Sequence, residues 1–344
     1  MAFYDWVFDS LGLRDWCDQA SSDAPMSMAD LLAQSRGDDA EEAGGTLPFP
    51  SLDALNESCA EMPRTREMTA GVEDSFLAIK DTLKLVLDPL TQPLSWLLEG
   101  ALFAFTTTPW FILIPLLIGL TWLVSRSLRV TGLVAATFVF FGVIDHLDPA
   151  LQTLSIVFVC TSLCVLFGVP IGIGMSKSNT LQRMMIPLLD LLQTLPTFVY
   201  LIPLIFLFSV TEPKLYGIAI ILYAIVPVIR LTDLGIRLVD RDVVEAANAF
   251  GMTPRQKLIG VEFPLALPNI MAGVNQTIMM SLSMVVIASL VSAPGLGVLV
   301  LRGIRNLELG VGLVAGLGIV LLAVVLDRTS KAALARVDVS RQSK

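Results

Sequence analysis

The chain has 344 residues, of which 54% are hydrophobic, with a mean hydropathy of +0.73 and a formal net charge of −8. Soluble domains hold about 45–50% apolar residues, so an ordinary soluble fold is excluded, and the net acidity does not suggest a nucleic-acid partner. The acidity is also local: residues 1–100 carry 19 acids against 6 Lys/Arg, and the remainder 12 against 17.

Residues 1–70 form an acidic tail. Its first residues carry Asp5 and Asp9 and no basic n-region, so a cleaved secretory signal is not expected. Asp, Ser, Gly and Pro dominate, and loose order is the default for such a mixture. The opening Phe3, Tyr4, Trp6, Val7 and Phe8 form a candidate amphipathic anchor. Cys17 and Cys59 lie in the tail and could pair if it faces outside the cell, although cysteine count fixes no connectivity. Within residues 71–108, apolar positions such as Phe76, Ile79, Leu83 and Leu87 recur at helical spacing between Lys80, Asp81, Lys84 and Asp88. This pattern suggests a helix lying along a membrane surface, interrupted at Pro89 and Pro93.

Residues 109–328 contain seven apolar segments. They run from Pro109 to Val124, Val130 to Ile144, Thr153 to Met175, Ile186 to Phe208, Leu215 to Ile229, Ile270 to Val291 and Val311 to Leu326. Several have about 15 residues, short of the roughly 20 that cross a bilayer straight, so their ends must borrow polar flanks. The prediction is an all-α, polytopic membrane helix bundle of about seven transmembrane helices. Cys160 and Cys164, one turn apart in the third segment, read as buried small hydrophobes. His146, between Asp145 and Asp148, reads as a solvated loop residue. Gly168/Gly172 and Gly312/Gly316 would let helices approach closely.

Basic residues set the orientation. Loops after segments one, three and five, with the 329–344 tail, hold nearly all the Lys and Arg of the membrane region; the alternate loops hold only Lys214, Arg302 and Arg305. The basic side is expected to be cytoplasmic, with the C-terminus, and the N-terminal tail periplasmic. Polar groups in two segments are candidates for a translocation path: Gln193, Thr194, Thr197 and Tyr200 around Pro196, and Asn275, Gln276, Ser281 and Ser283. Helix-to-helix hydrogen bonding is the competing role for each.

The 230–269 loop is a charged island between apolar segments. Val243 to Phe250 reads as an Ala-rich helix with Glu245 near its positive end, and Gly251 can take the left-handed conformation that ends it. Thr253, Pro254 and Gln256 have the order of a capping box opening a second helix. Nothing in the chain resembles a nucleotide-binding Gly-x-x-x-x-Gly-Lys-Ser/Thr loop; Gly172-Ile173-Gly174-Met175-Ser176-Lys177-Ser178 lacks the Gly before Lys. No nucleophile elbow or zinc-protease motif is present either. The chain is therefore read as no enzyme and as needing no cofactor or metal.

Glu245-Ala246-Ala247, Gly251 and the tail ending in Leu267-Pro268 resemble the EAA loop of ABC-importer permeases. The segments from Gln193 to Tyr200, Ala272 to Ser289, Gly295-Leu296-Gly297 and Leu301-Arg302-Gly303-Ile304 are similar to the permease family of glycine betaine/proline betaine (quaternary ammonium) importers, as is the long acidic N-terminal extension. The resemblance covers about two thirds of the chain. It implies a type I ABC importer permease fold in a bacterial inner membrane, a permease homodimer among membrane lipid, a separate ABC ATPase subunit and a separate solute-binding protein. It assigns Glu245, Ala246, Ala247 and Gly251 to the ATPase contact, with Arg255 and Lys257 as secondary candidates. The implied solute is a small methylated ammonium compound: glycine betaine first, with choline, proline betaine, carnitine and trimethylamine N-oxide open. The alternative is an ATP-independent channel or secondary carrier for a small osmolyte, which would not need such a loop.

Overall fold

A computed structural model describes residues 65–337, and every regular element among them is helical. The acidic tail, with Cys17 and Cys59, and the last basic residues lie outside the described residues. In chain order the helices are α1 (Thr65–Thr107), α2 (Trp110–Ser125), α3 (Leu128–Val143), α4 (Leu147–Lys177), α5 (Asn179–Thr194) and α6 (Thr197–Leu207). Then come α7 (Pro213–Arg237), α8 (Arg241–Ala249) and α9 (Pro254–Lys257). A π-helical turn over Leu258–Glu262 leads into α10 (Phe263–Ala288), followed by α11 (Leu296–Arg305) and α12 (Leu309–Val337). The chain divides into two compact units at Asp81/Thr82, and the second holds the bundle.

All seven apolar segments are helical, but they are not equivalent. Four helical runs are long and apolar enough to cross a membrane alone: α4, α7, Pro254–Val291 and Leu309–Ala335. The first and fourth segments belong to bent pairs, α1 with α2 at 112° and α5 with α6 at 96°. The second segment is α3, a shorter apolar helix of 16 residues. The membrane-crossing candidates thus number four, or up to six if each bent pair is one span.

The fourth segment, expected as a continuous run, breaks at Leu195-Pro196. Leu195 has φ −64° and ψ 130°, and Pro196 φ −55° and ψ 135°. A residue before proline is pushed out of the helical region, and two consecutive extended residues end the helix. Pro196 has no N–H, so the Leu192 carbonyl one turn earlier loses its helical donor. The Tyr200 hydroxyl donates to that carbonyl, stitching the two arms across the break. At Pro89 and Pro93 the opposite occurs, and α1 continues through both. There tertiary packing outweighs the lost bonds: Leu98 is fully buried, and Leu87, Leu94 and Phe105 pack against the main core.

Helix α7 is the axle of the bundle, packed between α4 and α10. Its neighbours approach so closely that only glycine fits. A Cβ on Gly172 would lie 2.6 Å from the Ile229 carbonyl oxygen, and one on Gly168 2.5 Å from a Val228 methyl. On the other side, a Cβ on Gly273 of α10 would meet the Val228 Cα at 3.0 Å. The second predicted pair behaves differently. Gly312 packs on Gly303 of α11, whereas Gly316 faces open space. Cys160 and Cys164 are both buried free thiols, as the apolar reading of the sequence expected.

Candidate coupling elbow and polar path

The elbow between α7 and α10 is built almost wholly from local interactions. The Asp240 carboxylate caps α8 by accepting from the Asp242 amide at 2.9 Å. At the other end Gly251 has φ +74°, a conformation that costs L side chains energy and glycine nothing. The Gly251 amide donates to the Asn248 carbonyl at 2.9 Å and the Met252 amide to the Ala247 carbonyl at 3.1 Å. This is the paired pattern of a Schellman stop, which satisfies carbonyls the helix end would otherwise orphan. The box predicted one residue later is present in full. The Gln256 amide donates to Thr253 Oγ1 at 3.4 Å, and the Thr253 amide donates to Gln256 Oε1 at 2.9 Å. Lys257 Nζ reaches back to Asn248 Oδ1 at 3.0 Å, tying the second helix to the first.

The surface so produced is a short platform. Glu245 and Ala246 are exposed, whereas Ala247 is buried against the structure beneath. Phe250 at the corner is 88% exposed, with Met252 and Val243 also exposed beside it. Arg255 is exposed and Lys257 half-buried through its bond to Asn248. The platform thus exposes apolar side chains together with charges of both signs. The sequence reading picked out Glu245 and Gly251 but not Phe250, whose signal was only its place at the helix end.

Beneath the platform lies a polar layer that no local motif announced. The short α9 runs without a break through the π turn into α10, and the Phe263 amide closes the wide turn on the Leu258 carbonyl. The last residue of that turn, Glu262, has a side chain only 7% exposed, and its carboxylate pairs with Lys177 at the end of α4. Next to it, Asp233 of α7 accepts from Arg237 Nε at 2.8 Å and from Gln182 of α5 at 2.7 Å. Arg237 also donates to Asn179 Oδ1 at 2.9 Å and to the Met175 carbonyl at 2.7 Å. Arg230 pairs with Asp190. The ends of α4, α5, α7 and α10 are therefore tied together just below the elbow.

The eight predicted path residues do not form one group. Gln193 and Thr194 are exposed at the α5–α6 break, and Thr197 opens α6 half-buried. Tyr200 is buried with its hydroxyl committed to the Leu192 carbonyl. On α10, Gln276 and Ser283 are exposed, and Ser283 donates to the Met279 carbonyl at 3.1 Å. Ser281 is fully buried and accepts from Thr161 at 3.3 Å. Asn275 donates to Asp327 at 2.9 Å and accepts from Ser330 at 2.9 Å, joining α10 to α12. Tyr200, Ser281 and Asn275 therefore make helix-to-helix or within-segment bonds. Thr194 and Ser283 donate back to their own helices, to the Leu191 and Met279 carbonyls, and remain exposed together with Gln193 and Gln276.

A bundle of long apolar helices, with two bent pairs and a capped, exposed elbow, has the make-up of a multi-pass membrane protein. The family described as "Binding-protein-dependent transport system inner membrane component" matches residues 165–339, just over half of the chain, and the chain belongs to that family. It is 44% identical over 214 residues to the glycine betaine/proline betaine transport system permease protein ProW of Escherichia coli (strain K12), which covers 61% of this chain and 60% of that relative. It is 46% identical over 204 residues to the glycine betaine transport system permease protein OpuAB of Bacillus subtilis (strain 168), covering 58% of this chain and 72% of the relative. With the glycine betaine/carnitine transport permease protein GbuB of Listeria monocytogenes it shares 42% identity over 247 residues, 71% of this chain and 87% of the relative. The chain thus matches about three fifths of the Escherichia coli relative's length. The matched stretch includes the elbow, both flanking helices and the polar layer.

Proposed function

We propose that this chain is the permease subunit of an ATP-driven importer for a small methylated ammonium solute, with glycine betaine the leading candidate. The supporting relatives are named for glycine betaine, proline betaine and carnitine transport, and a further one for trimethylamine N-oxide. None of those names favours an ATP-independent channel. The carrying observation is the elbow: a pre-organised, exposed platform joined without a break to a long apolar helix. A flexible linker would dissipate a push from a partner, whereas a doubly capped elbow continuous with α10 transmits it.

In this reading two copies of the chain pair in the inner membrane with the elbow inside the cell, and each elbow docks on a separate ATPase subunit. Glu245, Ala246, Ala247, Gly251, Arg255 and Lys257 make or hold that contact. Ala246 allows close approach, Ala247 seats the helix on the structure beneath, Glu245 offers a carboxylate to a basic partner group, and Phe250 supplies an apolar anchor. Closure of the ATPase dimer brings the elbows together and turns the spans outward. A separate binding protein then delivers the solute to a path lined by Gln193, Thr194, Gln276 and Ser283. Selection rests mainly with that binding protein, whose recognition of a quaternary ammonium group would use aromatic faces.

The test is uptake of labelled glycine betaine into proteoliposomes holding the chain, its ATPase and its binding protein, alongside the variants Glu245→Ala and Gly251→Pro. Uptake should fall in both variants while the unmodified complex transports. Unchanged transport in both removes the elbow from the mechanism.

A further inference from the structure

The elbow needs a mechanical link to the part of the bundle that opens. Its most direct route is α10, which continues from α9 through the π turn. A π turn is a wide, uncommon geometry that is frequent at functional positions. Glu262 closes this one, and it is the only carboxylate within the turn. Its partner Lys177 is the last residue of α4, immediately before Ser178, whose hydroxyl caps α5 by accepting from the Leu181 amide at 3.3 Å. The α5 helix carries Gln193 and Thr194 to the 96° break. The Glu262–Lys177 pair therefore spans from the moving elbow to the base of the arm that bears the exposed polar residues.

We infer that Glu262 and Lys177 form the joint through which displacement of the elbow reaches the α4–α5 corner, with Glu262 acting as a positioning residue for transport. The inference rests on the importer reading above. Two features distinguish this pair from surface decoration. The Glu262 side chain is only 7% exposed, so its charge depends on one partner for compensation. The two residues are also 85 positions apart and belong to different helices, so the pair fixes tertiary geometry and not a helix turn. The neighbouring Asp233 cluster holds α7 to α4 and α5. It leaves α10 attached to that corner, among ion pairs of the described residues, through Glu262.

The test uses the full complex in proteoliposomes, with solute uptake and ATP hydrolysis measured together. Glu262→Gln keeps the shape and removes the charge, and Lys177→Met removes the partner from the more exposed side. Each should lower the solute imported per ATP at least tenfold while hydrolysis stays within about twofold of the unmodified rate. The reversed pair, Lys177→Glu with Glu262→Lys, should recover most of that ratio. A purely structural role would reduce assembly and both rates together and leave the ratio alone. Should Glu262→Gln fail to assemble, Lys177→Met and the reversed pair still carry the test. An unchanged ratio in the variants, or a reversed pair no better than the single changes, overturns the inference. An unmodified complex that imports nothing overturns the importer reading instead.

Discussion

Gly251 separates conformational from steric requirements in the elbow. Its φ is +74°, and a Cβ built on it meets nothing within 4 Å. Any penalty for substitution is therefore a backbone penalty, of about 1–2 kcal/mol for an ordinary L residue in the left-handed region. Asn tolerates that region better than Ala, and a β-branched residue worse. The expected order of damage is Asn, then Ala, then Val, even though Asn is larger than Ala. A loss of 1–2 kcal/mol lowers the closed population about 5–30-fold. The reporter is the Met252 amide, which donates to the Ala247 carbonyl only while the Schellman stop is formed. Its hydrogen exchange should accelerate about 5–30-fold in Gly251→Ala, less in Gly251→Asn and more in Gly251→Val. Equal exchange in all three, or an order that follows side-chain volume, refutes the backbone argument.

Three further outcomes follow from the packing and the charges. Gly172→Leu should separate α4 from α7 and lower the thermal midpoint of the detergent-solubilised protein, because backbone at 2.6 Å cannot yield, whereas Gly316→Ala should leave it unchanged. Lys214, only 5% exposed, lies 2.7 Å from Asp88 and 2.8 Å from Glu212. Removing both acids in Asp88→Ala/Glu212→Ala should destabilise by about 3–5 kcal/mol in denaturant titration, more than Lys214→Met, because it strands a buried charge. At the turn between α11 and α12, a hydrogen bond from Asn306 and then the Arg302 charge hold the Glu308 carboxyl below its usual range. A depressed carboxylate contributes order that is present above its ordinary range and lost as pH falls through its lowered value. Asn306→Ala should move the Glu308 titration upward when followed by carboxyl-carbon NMR.

The elbow was the most legible part of the sequence because its determinants lie within four residues of one another. Thr253 caps a helix from its own side chain and Gly251 ends one by its own backbone freedom, while the equally local Asp240 cap, which starts the first helix two residues before Val243, was not read. Such interactions are written locally and survive any tertiary setting. Proline illustrates the limit. Pro89, Pro93, Pro170, Pro187, Pro203 and Pro227 all sit inside helices, while only Pro196 marks the break in the fourth apolar segment. Each removes one hydrogen bond, and whether the helix survives depends on packing the sequence does not display. The π turn and the Glu262–Lys177 pair were equally hidden, since residues 85 positions apart carry no shared pattern. Apolar periodicity located the seven segments but could not separate four long helices from two bent pairs. Asn275 read as a path residue because an amide in an apolar segment demands a partner, and that partner proved to be Asp327 on α12.

The central claim is that this chain conducts solute only when a separate ATPase drives it through the elbow. The most direct measurement compares solute entry into proteoliposomes holding the chain alone with entry into vesicles holding the chain, the ATPase, the binding protein and ATP. The account predicts accumulation above the external concentration in the complete system and no entry with the chain alone. Solute-specific entry through the purified chain alone, independent of ATP, would contradict it.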